Sequence, residues 1–81
     1  MNITLKLYAA LGEFLPAEAQ ANAVKVDVPD DATISDVLTS HQVPLGRCHL
    51  IMINGHQHDR NALSSTKLAG GDTLAVLPPA G

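Results

Sequence analysis

Residues 70–81 read Gly-Gly-Asp-Thr-Leu-Ala-Val-Leu-Pro-Pro-Ala-Gly and combine a turn, an apolar strand and a short tail. The glycines and the aspartate turn the chain, and residues 73–77 are predicted to form its last strand. The two prolines end that strand at Leu77, because proline cannot donate a hydrogen bond to a ladder and holds the chain extended. The four residues after Leu77 have a reach of about 13 to 14 Å. That reach suits a carboxylate presented to another protein's active site.

Gly81 is the candidate reactive residue of this tail. Glycine has no Cβ, so its carboxylate can enter a narrow slot. An α-carboxylate is ionised at neutral pH and can attack the α-phosphate of ATP without a base. The chain contains neither GxxxxGK[ST] nor GxGxxG, the glycine-rich motifs that cradle phosphates. We therefore expect it to bind no cofactor itself and ATP to be used by an activating partner, the alternative being a frayed terminus.

Length and composition favour one small globular domain spanning residues 1–81. Apolar residues make up 46% of the chain and charged residues 16%, which is typical of a folded protein. The only aromatic residues are Tyr8 and Phe14, and the net charge is −3. Both features argue against nucleic acid as a partner, because such sites need basic and aromatic side chains. The net charge alone favours a basic partner surface.

Cysteine usage and hydropathy bear on location. The single cysteine, Cys48, excludes an intramolecular disulfide and a multi-cysteine zinc site, and fits a reducing compartment. The chain begins with no basic region followed by an apolar run, and no stretch approaches the ~18 apolar residues of a membrane span. We expect a cytoplasmic protein with no membrane partner.

The first half of the chain predicts a hairpin with a long connection. Residues 2–9 alternate between apolar and polar, as does the segment 24–28 before Pro29, and this period of two is typical of half-buried strands. Between them, residues 10–15 have helical spacing and predict a short helix or turn. The alanine-rich segment 17–22 predicts a loop or a frayed helical end.

The second half predicts a helix and three strands. Thr33 and Asp36 form a capping-box pattern, and the apolar face that follows it extends to His41, before Pro44 ends the helix. Residues 48–53 predict a central strand, Asn54-Gly55 a tight turn, and residues 57–59 a short returning strand. A right-handed crossover places the helix across one face of the sheet. We expect the first and last strands to be parallel neighbours at its centre, with these side chains buried: Ile3, Leu5, Leu7, Ile34, Val37, Leu38, Leu74 and Val76.

Histidine and cysteine offer two further candidate sites. His56 and His58 would share one strand face, with His49 possible on the facing strand, so a metal site is conceivable. No acidic residue is obviously placed as its base, and hairpin histidines are usually solvated, so we predict no metal. Cys48 and His49 are adjacent, but neighbours on a strand point to opposite faces, and a buried or half-buried thiol is favoured over a catalytic pair.

The last strands contain more apolar residues than one helix needs. They alternate poorly, so some apolar surface could remain as a docking face. An assignment to the core alone is favoured for Leu45, Ile51, Ile53, Leu74 and Val76.

Taken together, four motifs are similar to those of a known family. They are Leu-Tyr-Ala-Ala-Leu at 7–11, Thr-Ile-Ser-Asp-Val-Leu at 33–38, Ile-Asn-Gly at 53–55, and Gly71-Asp72 followed by a strand and Pro78-Pro79. In this order they resemble the small β-grasp sulfur carriers of molybdopterin and thiamine biosynthesis, relatives of ubiquitin. The double proline makes the molybdopterin type nearer. The resemblance implies an α+β fold, a ubiquitin-like β-grasp with a mixed sheet of four to five strands and one main helix packed across it.

The resemblance also implies a role for the tail. In this family a ubiquitin-activating-type adenylyltransferase adenylates the terminal glycine, which becomes a thiocarboxylate and donates sulfur to a synthase. The matching residue here is Gly81, and Leu77, Pro78, Pro79 and Ala80 would contact the partner. The family usually has glycine at the position of Ala80 and a tail longer by two residues. The alternative is a β-grasp binding or regulatory subunit that lacks carrier activity.

Overall fold

Five strands and one α-helix make up the regular structure of the computed structural model, which describes residues 1–79. The strands are β1 (Asn2–Leu7), β2 (Ala23–Asp27), β3 (Leu50–Ile53), β4 (His56–His58) and β5 (Thr73–Leu77), and the helix is α1 (Ile34–Ser40). Short 3₁₀ helices cover Ala9–Phe14, Leu45–Arg47 and Arg60–Ala62.

The strands form one mixed sheet in the order β2-β1-β5-β3-β4. β1 and β5 are parallel, with Leu5 opposite Leu74, and every other neighbouring pair is antiparallel. β5 is therefore the middle strand, and β1 lies beside it, as predicted. The predicted α+β class and the ubiquitin-like β-grasp with one main helix are confirmed.

Helix α1 begins and ends through local hydrogen bonds. The Asp36 N–H donates to Thr33 Oγ1 at 3.2 Å, and the Thr33 N–H donates to Asp36 Oδ2 at 3.0 Å, which completes the predicted capping box. At the other end Gln42 has a φ of +61°, and the Val43 N–H donates to the Leu38 carbonyl at 2.9 Å. This left-handed residue stops the helix at Ser40, before the predicted His41.

The core lies between α1 and one face of the sheet. All eight side chains predicted to be buried have at most 1% exposure. They belong to one apolar cluster, which also contains Leu11, Cys48, Ile51 and Ile53. Packing across the sheet therefore follows the sequence pattern.

Six predicted strand boundaries were wrong by one or two residues. Strands β2 and β4 each lie one residue before the predicted segments 24–28 and 57–59, β1 ends two residues early, and β3 begins two residues late. β1 ends at Leu7 because Ala9 adopts a φ of +52° and begins a 3₁₀ helix. β3 begins at Leu50 rather than Cys48, because the Cys48 N–H donates to the Leu45 carbonyl at the end of the preceding 3₁₀ helix. β2 begins one residue early, after a tight turn at residues 21–22. No α-helix within residues 1–79 is both long and apolar enough to cross a membrane.

Candidate functional site

The C-terminal segment leaves the sheet from its middle strand. The Leu77 carbonyl accepts a 2.9 Å hydrogen bond from the His49 N–H, and the Val76 carbonyl accepts one of 3.2 Å from the Tyr8 N–H. β5 is thus held on both sides almost to its last residue. Pro78 follows half-buried and Pro79 exposed, so the chain leaves the ladder where the sequence predicts.

Two of the predicted site residues cannot be placed. Ala80 and Gly81 lie outside the described residues, so their predicted roles stay predictions. Leu77, Pro78 and Pro79 are described, and their contact with a partner stays a prediction as well.

Only one face of the sheet is covered by α1. The strand register places alternate residues on the other face, which we call the open face. Side chains on this face are half-buried or exposed except that of Ala75. The members of the open face are Asn2, Thr4, Lys6, Ala23, Lys25, Asp27, Leu50, Met52, Gln57, Thr73, Ala75 and Leu77.

Part of the open face is apolar, and we call Leu50, Met52, Ala75 and Leu77 the apolar patch. Leu50 lies opposite Leu77, and Met52 lies opposite Ala75, so the four form two adjacent cross-strand pairs. The patch reaches the end of β5 where the chain leaves the sheet. A partner that contacts the patch would therefore also lie near the tail.

The predicted core assignment is correct for the residues that face the helix. Ile51, Ile53, Leu74 and Val76 are buried, and Leu45 is partly buried against the core. The apolar excess comes instead from their neighbours in the chain, Leu50, Met52 and Leu77. Sequence analysis did not single out Leu50 or Met52, although the unbroken Leu-Ile-Met-Ile run of β3 is a signal of a strand that is apolar on both faces.

The histidines do not converge on a metal centre in the described part of the chain. His56 and His58 share a strand face, because they pair with Ile53 and Ile51. His49 is exposed and its backbone bonds to Leu77 on the side of β5, not to β4. Residues 1–79 contain no group of three or more potential ligands close enough to hold a metal ion.

Cys48 is a buried thiol, as predicted. Its side chain has no solvent exposure, and its Sγ donates to the Pro44 carbonyl at 3.6 Å. Burial raises the pKa of the Cys48 thiol, and the charges of Arg60 and Arg47 oppose that increase. A protonated, inaccessible thiol is not a nucleophile, and the side chain of His49 is exposed while that of Cys48 is buried.

The family model "Mut7-C ubiquitin" matches residues 1–80. The chain belongs to the Mut7-C ubiquitin family. A search of curated proteins found no match to this family member.

Solved structures similar to this Mut7-C ubiquitin protein include SAMP1, a thiamine biosynthesis protein and a chain of molybdopterin-converting factor. SAMP1 from Haloferax volcanii is 27% identical with a TM-score of 0.67, over 100% of this chain and 98% of that one. The thiamine biosynthesis protein ThiS from Geobacter metallireducens is 20% identical with a TM-score of 0.66, over 100% and 97% of the two chains. A chain from the complex of subunits 1 and 2 of molybdopterin-converting factor from Helicobacter pylori is 20% identical with a TM-score of 0.64, over 100% and 97% of the two chains.

These similarities confirm the predicted resemblance to small β-grasp sulfur carriers. The two proteins at 20% identity share the fold with this family member.

Proposed function

We propose that this protein is a ubiquitin-like sulfur carrier of the molybdopterin or thiamine type, acting in the cytoplasm as a single domain. Its C-terminal Gly81 would be adenylated by a ubiquitin-activating-type adenylyltransferase and converted to a thiocarboxylate. A sulfur-accepting synthase would then take the sulfur. The observation that carries the proposal is the exit of the chain from the middle strand β5, beside the apolar patch.

Rigid support of β5 favours this role. The strand pairs with β1 on one side and with β3 on the other. Four of its five residues, 73–76, each lie opposite a residue of β1. Proline at 78 and 79 lowers the conformational entropy that the tail loses when it is bound. Together the strand and the prolines would present the terminal carboxylate with little ordering cost.

The apolar patch favours a docking role for the open face. Leu50, Met52 and Leu77 are half-buried in the free protein and would gain further burial in a complex. Burial of apolar area contributes about 25 cal/mol per Å² before the costs of association. Docking on this face would hold the activating enzyme close to the tail.

The chemistry assigns no acid or base to this chain. A carboxylate oxygen of Gly81 attacks the α-phosphate of ATP, and pyrophosphate leaves to give an acyl-adenylate. A persulfide sulfur, supplied by the sulfur-donating system of the host, then attacks the acyl carbon and AMP leaves. Reductive cleavage of the resulting acyl disulfide by a host thiol gives the thiocarboxylate.

Mass spectrometry of the protein purified from its native host tests the proposal. The spectrum identifies the native C-terminal residue and reports whether one carboxylate oxygen has been exchanged for sulfur. The matched sample is protein from a host strain that lacks the adenylyltransferase, in which the sulfur-containing species should be absent. We expect a thiocarboxylate on Gly81 in the first sample alone.

One outcome favours the second candidate function. Ala80 stands where carriers usually have glycine, and this difference is what a non-conjugated binding or regulatory subunit predicts. If the purified adenylyltransferase binds the protein but shows no ATP–pyrophosphate exchange, and no thiocarboxylate is found in the host, the carrier proposal is wrong. The docking face would then belong to a regulatory subunit.

A further inference from the structure

The open face carries more positive than negative side chains, although the protein as a whole has a negative net charge. The net charge is −3, yet Lys6 and Lys25 lie on this face with a single acidic residue, Asp27. Asp27 lies at the end of β2 opposite Asn2, and its Oδ1 is 3.4 Å from the Met1 ammonium nitrogen. Neither lysine forms an ion pair with any of residues 1–79.

The two lysines are close diagonal neighbours. Lys6 pairs with Ala23 across β1 and β2, and Lys25 pairs with Thr4. Diagonal positions on one face of an antiparallel pair are roughly 7–8 Å apart. The two lysines therefore present like charges on the same part of this face, and a carboxylate between or beside them would be attracted to both.

Five of the eight acidic residues lie near the end of the sheet where β1 and β5 begin. Asp72 precedes β5, Asp27 ends β2, and Asp30 is 3.2 Å from the Met1 ammonium group. Asp31 and Asp36 line one cavity together with Asp27. The net charge alone favoured a basic partner surface, whereas the open face carries two positive side chains, Lys6 and Lys25, and one negative side chain, Asp27.

A shallow depression lies beside Lys25. Its volume is about 230 Å³, and Lys25, Asn2, Ile3, Thr4 and Gly71 line it. The space suits one or two side chains of a docked protein. A carboxylate placed there would face the Lys25 ammonium group and the polar residues of β1.

We propose that the partner surface docking on the open face is a protein surface with an apolar centre that covers the apolar patch and with carboxylates that face Lys6 and Lys25. The inference rests on the proposed function, because the partner is the activating adenylyltransferase. A polyanion is disfavoured, since two lysines beside four apolar residues give little counterion release and no run of stacking aromatics.

Single charge reversals with a matched control test the inference. The variants are Lys6→Glu, Lys25→Glu and Lys67→Glu, which change the net charge equally. Lys67 is exposed and lies away from the open face, since its backbone bridges to Thr33 at the start of α1. Association and dissociation with the purified adenylyltransferase are measured by surface plasmon resonance at low and high salt, and thermal melting of each variant checks its fold.

Reversal at Lys6 or Lys25 should slow association about tenfold at low salt, because electrostatic steering is worth about 10 to 10³-fold in rate. Salt should reduce the difference, as it screens the charges. Lys67→Glu should stay within about twofold of the wild type, since a remote charge contributes little to steering.

Each contrary outcome identifies what fails. The inference would be overturned if the three reversals changed the association rate equally, or not at all, while the wild type still bound the enzyme and supported ATP–pyrophosphate exchange. The proposed function would then stand. Absence of binding by the wild type would overturn both. Tight binding of a mixed-sequence single-stranded oligonucleotide, lost on reversal of Lys6 or Lys25, would also overturn it in favour of a nucleic acid partner.

Discussion

The side chain of Asn54 joins the turn between β3 and β4 to Asp72, which precedes the middle strand. Its Nδ2 donates to Asp72 Oδ1 at 2.9 Å, and its Oδ1 accepts from the Thr73 N–H at 2.9 Å. The other Asp72 oxygen accepts from the Ala69 N–H at 2.8 Å. One turn residue therefore fixes the start of β5, four residues before the strand reaches Leu77.

Two substitutions of Asn54 should distinguish the stability contributed by its side-chain hydrogen bonds from the cost of its left-handed backbone conformation. Asn54 has a φ of +53°, which glycine adopts without steric cost and alanine adopts only with strain. Asn54→Gly should cost about 1–2 kcal/mol through the lost hydrogen bonds, and Asn54→Ala about 1–2 kcal/mol more through left-handed strain. Urea unfolding measures the free energy of unfolding of the wild type and of both variants. Equal stability of the two variants would contradict the strain assigned to alanine at this position.

Truncation of Leu38 should test packing of α1 across the sheet. The Leu38 side chain is fully buried, so Leu38→Ala should lower the free energy of unfolding by about 2–5 kcal/mol. The exposed neighbour Thr39 is the matched control, and Thr39→Ala should change the free energy by less than about 0.5 kcal/mol. Similar losses for both variants would mean that the helix is not held by its buried face.

Local signals predicted the helix start and the last strand. Thr33 and Asp36 contact each other within one turn, and the sequence around β5 contains its own turn and its own proline stop, so both elements could be predicted from adjacent residues. The predicted end of β1 and start of β3 were wrong because Ala9 begins a 3₁₀ helix and Cys48 caps another. These two helices place Leu11 and Cys48 in the core, which the alternation along the strands did not indicate.

The open face could be predicted only in part. β3 is apolar at both alternating positions, and only its register with β5 shows that Ile51 faces the helix while Met52 does not. Lys6 and Lys25 are far apart in sequence, and antiparallel pairing brings them together. The role of Gly81 came from the resemblance to sulfur carriers, because no local geometry in the sequence specifies it.

A glycine substitution in the turn at Ala21-Asn22 should stabilise the protein. Both residues have positive φ, +52° and +63°, and Gln20 and Ala23 exchange backbone hydrogen bonds around them. Ala21→Gly relieves roughly 1–2 kcal/mol of left-handed strain in the folded protein. It also increases the conformational entropy of the unfolded chain, which lowers the free energy of unfolding by about 0.4–1 kcal/mol. We therefore expect a higher melting temperature.

The exposed Ala17, whose φ is not positive, provides the control for that substitution. Ala17→Gly should lower stability by about 0.4–1 kcal/mol, because only the unfolded chain gains freedom. A lower melting temperature for Ala21→Gly would show that the turn is not strained.

The buried thiol predicts a pH dependence of stability. Burial raises the pKa of Cys48 in the folded protein, so between the unfolded and folded pKa values the unfolded state binds fewer protons. The stability that the raised pKa contributes is fully present below the pKa of the thiol in the unfolded chain, about 8.5. It is lost as the pH rises through the pKa of the thiol in the folded protein. The slope is at most about 1.4 kcal/mol per pH unit for one group.

Chemical unfolding between pH 7 and pH 10 should show this loss in the wild type. Cys48→Ala removes the thiol and should flatten the profile, while other titrating groups affect both proteins equally. Indistinguishable profiles would mean that the thiol is accessible to solvent. A thiol reagent should accordingly modify Cys48 only at the rate at which the protein opens.

The length of the tail should decide activation without affecting docking. Addition of one residue after Gly81 moves the carboxylate about 3.5 Å beyond its target, so ATP–pyrophosphate exchange by the adenylyltransferase should be abolished. Affinity for the enzyme should stay within about twofold, because the apolar patch that supports docking is unchanged. Ala80→Gly is the companion variant, and it should leave exchange equal or faster, because it removes a methyl group from a narrow channel. Exchange by the lengthened variant at the wild-type rate would show that Gly81 is not the acyl donor.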